Sequence, residues 1–154
     1  MTENTAEILR MIQNLIAIGT ITDTDHARAL VKVDVNGRKS QWLPVPGVIG
    51  QNHRGTNHMR KGTQVVVASP SGDPSNGVIL QVLYSGSLPS VSTDGAVDIV
   101  RWEDGTVAKY DTNSKTMTLN SVGDLVLTAA GAIRIKAGGK LSLDAEHISA
   151  LEDS

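Results

Sequence analysis

The sequence predicts a mainly β chain with three parts: an N-terminal helix, a small barrel of short strands, and a C-terminal array of repeated strands. Three observations carry that prediction. Apolar residues near the N-terminus recur at helical spacing. Five short β-patterned runs separated by turn signals fill residues 20–86. Residues 115–146 repeat with a period of eight.

The helix is expected over residues 1–19. Ile8, Met11, Leu15 and Ile18 fall at alternating three- and four-residue spacing, and Ile12 and Ile16 widen the stripe. Asn4 with Glu7 three residues later is a variant of the capping box, and Gly19 is placed to end the run. A lone helix of about 15 residues is marginal in water. It therefore packs either on its own downstream domain or on sister helices.

Residues 20–86 read as strands and turns. Leu30 to Val35 alternate and are followed by Asn36-Gly37, a strong hairpin signal. Gln41 to Gly47 continue the second arm, where Pro44 and Pro46 mark an edge. Trp42 lies among expected core residues. Residues 50–62 are expected as a loop, Val65-Val66-Val67 as a buried strand, and Ser69 to Pro74 as a turn cluster. Gly77 to Tyr84 make the last strand. Five short strands in this length suit a small closed barrel, with the OB-fold as the leading candidate. Residues 87–96 are linker-like.

The octads begin at Lys115, Gly123, Gly131 and Gly139. Their third and fifth positions are Met117/Leu119, Leu125/Leu127, Ile133/Ile135 and Leu141/Leu143. Alternation places each pair on one face of a strand, and boundary glycines permit a corner. One chain of four such strands has too little core to stand alone. Three chains wound together place six aliphatic side chains in each layer, roughly 10 kcal/mol of gross burial, and pair every strand edge. The expected architecture of residues 97–154 is thus a trimeric, intertwined β-helix with these eight residues as its core. The competing reading is a monomeric hairpin meander with a coincidental period.

Composition excludes several classes. Phe is absent and only two Trp and two Tyr are present, so the core is aliphatic or shared between copies. Cys is absent, which excludes disulfides and thiolate sites. No apolar run reaches the length of a membrane-spanning helix. Glu3 and Glu7 at the N-terminus argue against a signal peptide. Residues 20–86 carry seven basic residues against four Asp, whereas residues 97–154 carry six basic against nine acidic.

Helix, barrel and octads together resemble the baseplate assembly protein V family, the central tail spikes of contractile-tailed phages, to which VgrG proteins of type VI secretion are related. The most recognisable segments are Lys61 to Val67, then Gly72-Asp73 and Gly77 to Leu80, and Trp102 to Asp111, which looks like the first strand of a spike shaft. The resemblance covers essentially the whole chain. It implies a homotrimer in the virion tail baseplate, made in the host cytoplasm. It also implies binding to tail hub and baseplate proteins, closure of the tube, nucleation of baseplate assembly, and transient passage through the host outer membrane. It implies a mechanical function and no catalysis.

Many such spikes end in an apical His-x-His motif that holds iron. This chain has His147 alone, so an apical iron is not supported and no cofactor is expected; the tip is either blunt or completed by a small capping protein. Three copies of His147 near a threefold axis have the chemistry to ligate zinc or iron, but an isolated strand His is more commonly packed or solvated.

Catalytic readings have little support. Asp23 and Asp25 share one strand face, which permits acid–base work, but Asp-Thr-Asp before a strand reads as a solvated turn. His53 and His58 lie five apart in a loop, which is not a zinc spacing. A single-stranded nucleic-acid module is the alternative from another class, with Trp42 and Tyr84 as stacking platforms. Its charge excess is too small to dominate affinity, and the octads have no role in it. A generic trimeric fibre or adhesin module shares the β-helix but does not need the helix and barrel.

Overall fold

A computed structural model describes residues 2–150. The chain divides into two units, Met1–Gly95 and Ala96–Ser154, referred to below as the head and the shaft segment.

The head opens with α1 (Thr2–Leu15), which passes directly into β1 (Ile16–Asp25). The helix therefore ends before Gly19, and Ile18 belongs to a strand. Two features impose this. The Leu15 carbonyl accepts a hydrogen bond from the Ser69 backbone N–H at 2.8 Å, which closes the last helical turn. Ile16 to Thr20 then form a ladder with β7 (Gln64–Ala68). Gly19 is required by close packing rather than by a helix stop: a Cβ there would lie 2.5 Å from Val33 Cγ1 and 2.7 Å from the Asp34 carbonyl oxygen. The capping box is also not formed. Asn4 lies inside the helix, and Glu7 pairs with Arg10 at 2.6 Å.

The remaining head strands are β2 (Leu30–Val35), β3 (Arg38–Lys39), β4 (Leu43–Pro44), β5 (Val48–Ile49), β6 (Arg54–Gly55) and β8 (Val78–Leu83). The main sheet runs β3-β2-β1-β7-β8, with β4 also paired to β2. Its pairings are antiparallel. β1 pairs with β7 over its first half and with β2 over its second, with a register shift between Ile21 and Asp23. A strand shared in this way bends the sheet, and a bulge sharpens the bend. β4 returns beside β8 without a ladder. The result is an OB-like barrel, as the strand pattern predicts. Asn36 and Gly37 both have positive φ (52° and 80°), the signature of a type I′ hairpin turn.

The core consists of Ile21, Val31, Val33, Leu43, Val65, Val67 and Ile79, with Val35, Val45 and Met59 packed against it. It contains no ring. Trp42 is only part-buried and lies outside this core, because Leu43 is the residue that β4 turns inward. The expected loop 50–62 lies between firm anchors. β5 and β6 form a small ladder at its start, and Gly62 N–H donates to the Ile21 carbonyl at its end.

α1 is attached through Met11. The turn at Pro70–Gly72 places Gly72 at φ +67°, where a Cβ would lie 2.7 Å from the Met11 Cα. Of the two packing options for the helix, contact with its own domain is therefore realised on one side.

The shaft segment contains a three-stranded antiparallel sheet, β11-β10-β9, of β9 (Val97–Arg101), β10 (Val107–Asp111) and β11 (Thr116–Asn120). Trp102 N–H donates to the Thr106 carbonyl, and Gly105 takes φ +94° in the connecting turn. β11 is the strand of the first octad. The other three octads form no strand among the described residues of one chain, and a single chain shows no β-helix. A strand exists only as part of a ladder, and residues 122–150 join no ladder among the described residues. The end of the chain beyond residue 150, including Glu152 and Asp153, lies outside the described residues.

Candidate assembly surface

Every residue from Val122 to Ala150 is exposed in the single chain. The octad aliphatics are no exception: Met117, Leu119, Leu125, Leu127, Ile133, Ile135, Leu141 and Leu143 are 54 to 71 % exposed. No backbone hydrogen bond among the described residues joins residues 125–150. Such a segment has two unmet needs, an apolar face without cover and a backbone without partners. Buried backbone polar groups are nearly always paired, so whatever covers the aliphatics must supply hydrogen bonds as well. A smooth apolar groove meets only the first need; another β-forming chain meets both.

The head carries its own uncovered apolar residues. Ile8, Ile12 and Leu15 follow one stripe of α1, and all three are exposed, as are Ile16 and Ile18 on β1. On β8, Val78, Leu80 and Val82 are exposed, with Tyr84 just beyond the strand. These β8 side chains were not singled out from the sequence, although their alternation was the signal. The run reads equally as a strand with one buried face, and Ile79 does fill the core.

The polar residues weighed for chemistry are held in structural roles. Asp23 accepts from the Thr22 hydroxyl at 2.8 Å and from Lys39 Nζ at 3.2 Å. These two bonds hold its carboxyl below the usual range. Asp25 accepts from Arg28 Nε at 2.7 Å and from the Arg28 backbone N–H, with the same effect on its carboxyl. The two carboxylates are thus each engaged by a different cation. His53 lies against Gly50. His147 is exposed, and no group of three metal-ligating side chains occurs among the described residues.

Two further groupings were not visible in the sequence. Lys32 Nζ stands 5.0 Å and Arg28 Cζ 5.6 Å from the Trp42 ring centroid, within cation–π range. The Trp42 ring is therefore already engaged, which weakens it as a stacking platform. His26 and His58 bring their ring centroids to 4.7 Å. They are 32 positions apart in the chain, so only the fold brings them together.

Residues 17–84 match the family described as the Type VI secretion system/phage-baseplate injector OB domain. That span coincides with β1 to β8, the OB-like barrel. Over 152 residues the chain is also 25 % identical to the spike protein of Escherichia phage P2, covering 94 % of this chain and 72 % of that relative. The similarity therefore extends beyond the barrel into the octads.

Proposed function

We propose that this chain, whose residues 17–84 match the Type VI secretion system/phage-baseplate injector OB domain, is the trimeric central spike of a contractile phage tail. Its place is the virion tail baseplate. A structural role in a baseplate spike follows from the two similarities. In the proposed assembly three copies wind their octads into a triple-stranded β-helix. This needle caps the tube, nucleates baseplate assembly with hub proteins, and takes part in crossing the host outer membrane. Catalysis, cofactors and nucleic acid have no part in it.

The observation that carries the trimer is the octad face. Eight aliphatic side chains, two per repeat, stand exposed, and the six beyond β11 lie on a backbone without partners among the described residues. Two further copies of the same chain match the period residue for residue, supplying both apolar cover and strand edges. At about 1.5–3 kcal/mol per fully buried aliphatic side chain, four layers of six contribute several tens of kcal/mol gross. A piercing element gains mechanically from this arrangement, because no chain peels away without breaking layers shared with the other two.

The test is solution mass by light scattering on a sizing column, repeated in mild SDS. A mass of three chains that survives SDS is the expected result. A monomer would remove the trimeric needle.

A further inference from the structure

We propose that His26 and His58 together form a surface site for a divalent transition-metal ion, with zinc as the probe. The site would fasten the 50–62 loop to the β1–β2 turn. It lies in the head, away from the octads and from His147 in sequence.

Three observations support it. The first is distance. With a metal–nitrogen bond of about 2.0–2.1 Å and a tetrahedral angle, two imidazole centroids on one zinc ion lie about 5 Å apart. The observed separation is 4.7 Å, with the rings inclined at 55°. That separation suits two imidazoles that each turn one nitrogen to a common ion.

The second is availability. No described hydrogen bond or ion pair engages either imidazole, and both residues are exposed. Neutral imidazole nitrogens without a hydrogen-bond partner are good ligands for zinc, copper and nickel.

The third is that both rings are carried by constrained backbone. His26 begins the tight β1–β2 turn. Its carbonyl accepts from the Ala29 N–H, Ala29 takes φ 53°, and Asp25 accepts from the Arg28 N–H at 3.1 Å. His58 precedes Met59, which packs on the core, and the loop closes at Gly62 on the Ile21 carbonyl. Holding two ligands in place before the ion arrives lowers the ordering cost of binding. Asp25 does not complete the set, because its carboxylate is held by Arg28. Water fills the remaining positions, so the site is a two-ligand clamp of modest affinity rather than a structural zinc centre, which takes four protein ligands.

The test is a calorimetric titration of the full chain with zinc chloride at neutral pH in a non-chelating buffer. The expected result is one saturable site per chain. His26→Ala and His58→Ala should each weaken it at least tenfold, while His53→Ala and His147→Ala leave it unchanged. All four residues are exposed, and circular dichroism would check that each variant keeps its strands. Absence of saturable binding overturns the proposal. So does wild-type affinity in either His26→Ala or His58→Ala, or loss of binding in His53→Ala or His147→Ala, which would put the ion elsewhere.

Discussion

Replacing Ile133 by Asp is the sharpest test of a shared octad core, and its size can be worked out. Full burial of an isoleucine contributes about 1.5–3 kcal/mol. In the single chain 55 % of Ile133 is exposed, so covering that exposed part contributes about 1–1.5 kcal/mol per chain and about 3–5 kcal/mol over three chains. The substitution forfeits that and puts three carboxylates on one axis. Each unpaired buried ion costs several kcal/mol after relaxation. The combined penalty is on the order of 10 kcal/mol or more, as large as the whole stability of a typical domain, about 5–15 kcal/mol. The trimer should therefore be lost. Light scattering of Ile133→Asp beside wild type reads this directly. Arg134→Asp is the control: it changes charge at the next position, on the opposite strand face, and should keep the three-chain mass. An Ile133→Asp protein that remains an SDS-resistant trimer would refute the shared-core reasoning.

Three further outcomes are expected. Ser40 is buried, its hydroxyl accepting from the Val33 N–H at 3.0 Å and donating to the Gln41 carbonyl at 2.7 Å; Ser40→Ala leaves that N–H without its side-chain partner and should cost about 1–3 kcal/mol in denaturant unfolding. Gly19→Val drives a side chain into Val33 and the Asp34 carbonyl and should lower head stability by at least about 1–3 kcal/mol, seen as an earlier denaturant midpoint. Asp23, Asp25, Asp73 and Asp111 are held below the ordinary value of 3.8 by hydrogen bonds, chiefly from Thr22, Arg28, Ser75 and the Ser114 backbone respectively. A lowered carboxyl contributes stability that is fully present above its unfolded value and is lost as pH falls through the folded one. Melting temperature should therefore be insensitive to these groups from neutral pH down to about 4 and fall below it, with a shallower fall in Asp25→Asn.

Much of the fold was legible because it follows from local pattern. Leu30 to Val35 and Gln64 to Ala68 alternate as half-buried strands must, and Asn36-Gly37 supplies the positive φ values that a tight hairpin requires. The helix end was misread because Ile16 and Ile18 fit helical spacing and strand alternation equally well. The ladder from β1 to β7 decided between them, and Gly19 then served close strand packing rather than a cap. Trp42 was misread for a similar reason: it stands just before β4, whose inward position belongs to Leu43.

The assembly surface divides in the same way. By itself the sequence determined the octad period, the absence of thiol chemistry and the aliphatic core, since each depends only on residue type and spacing. The tertiary structure decided that the last three octads find no strand partner among the described residues of one chain and that Asp23 and Asp25 are held by different cations. It also decided that Lys32 and Arg28 stand over Trp42 and that His26 meets His58. These are contacts between distant positions, set by how β1 bends between two neighbours and by where the 50–62 loop is anchored, and residue spacing carries no record of either.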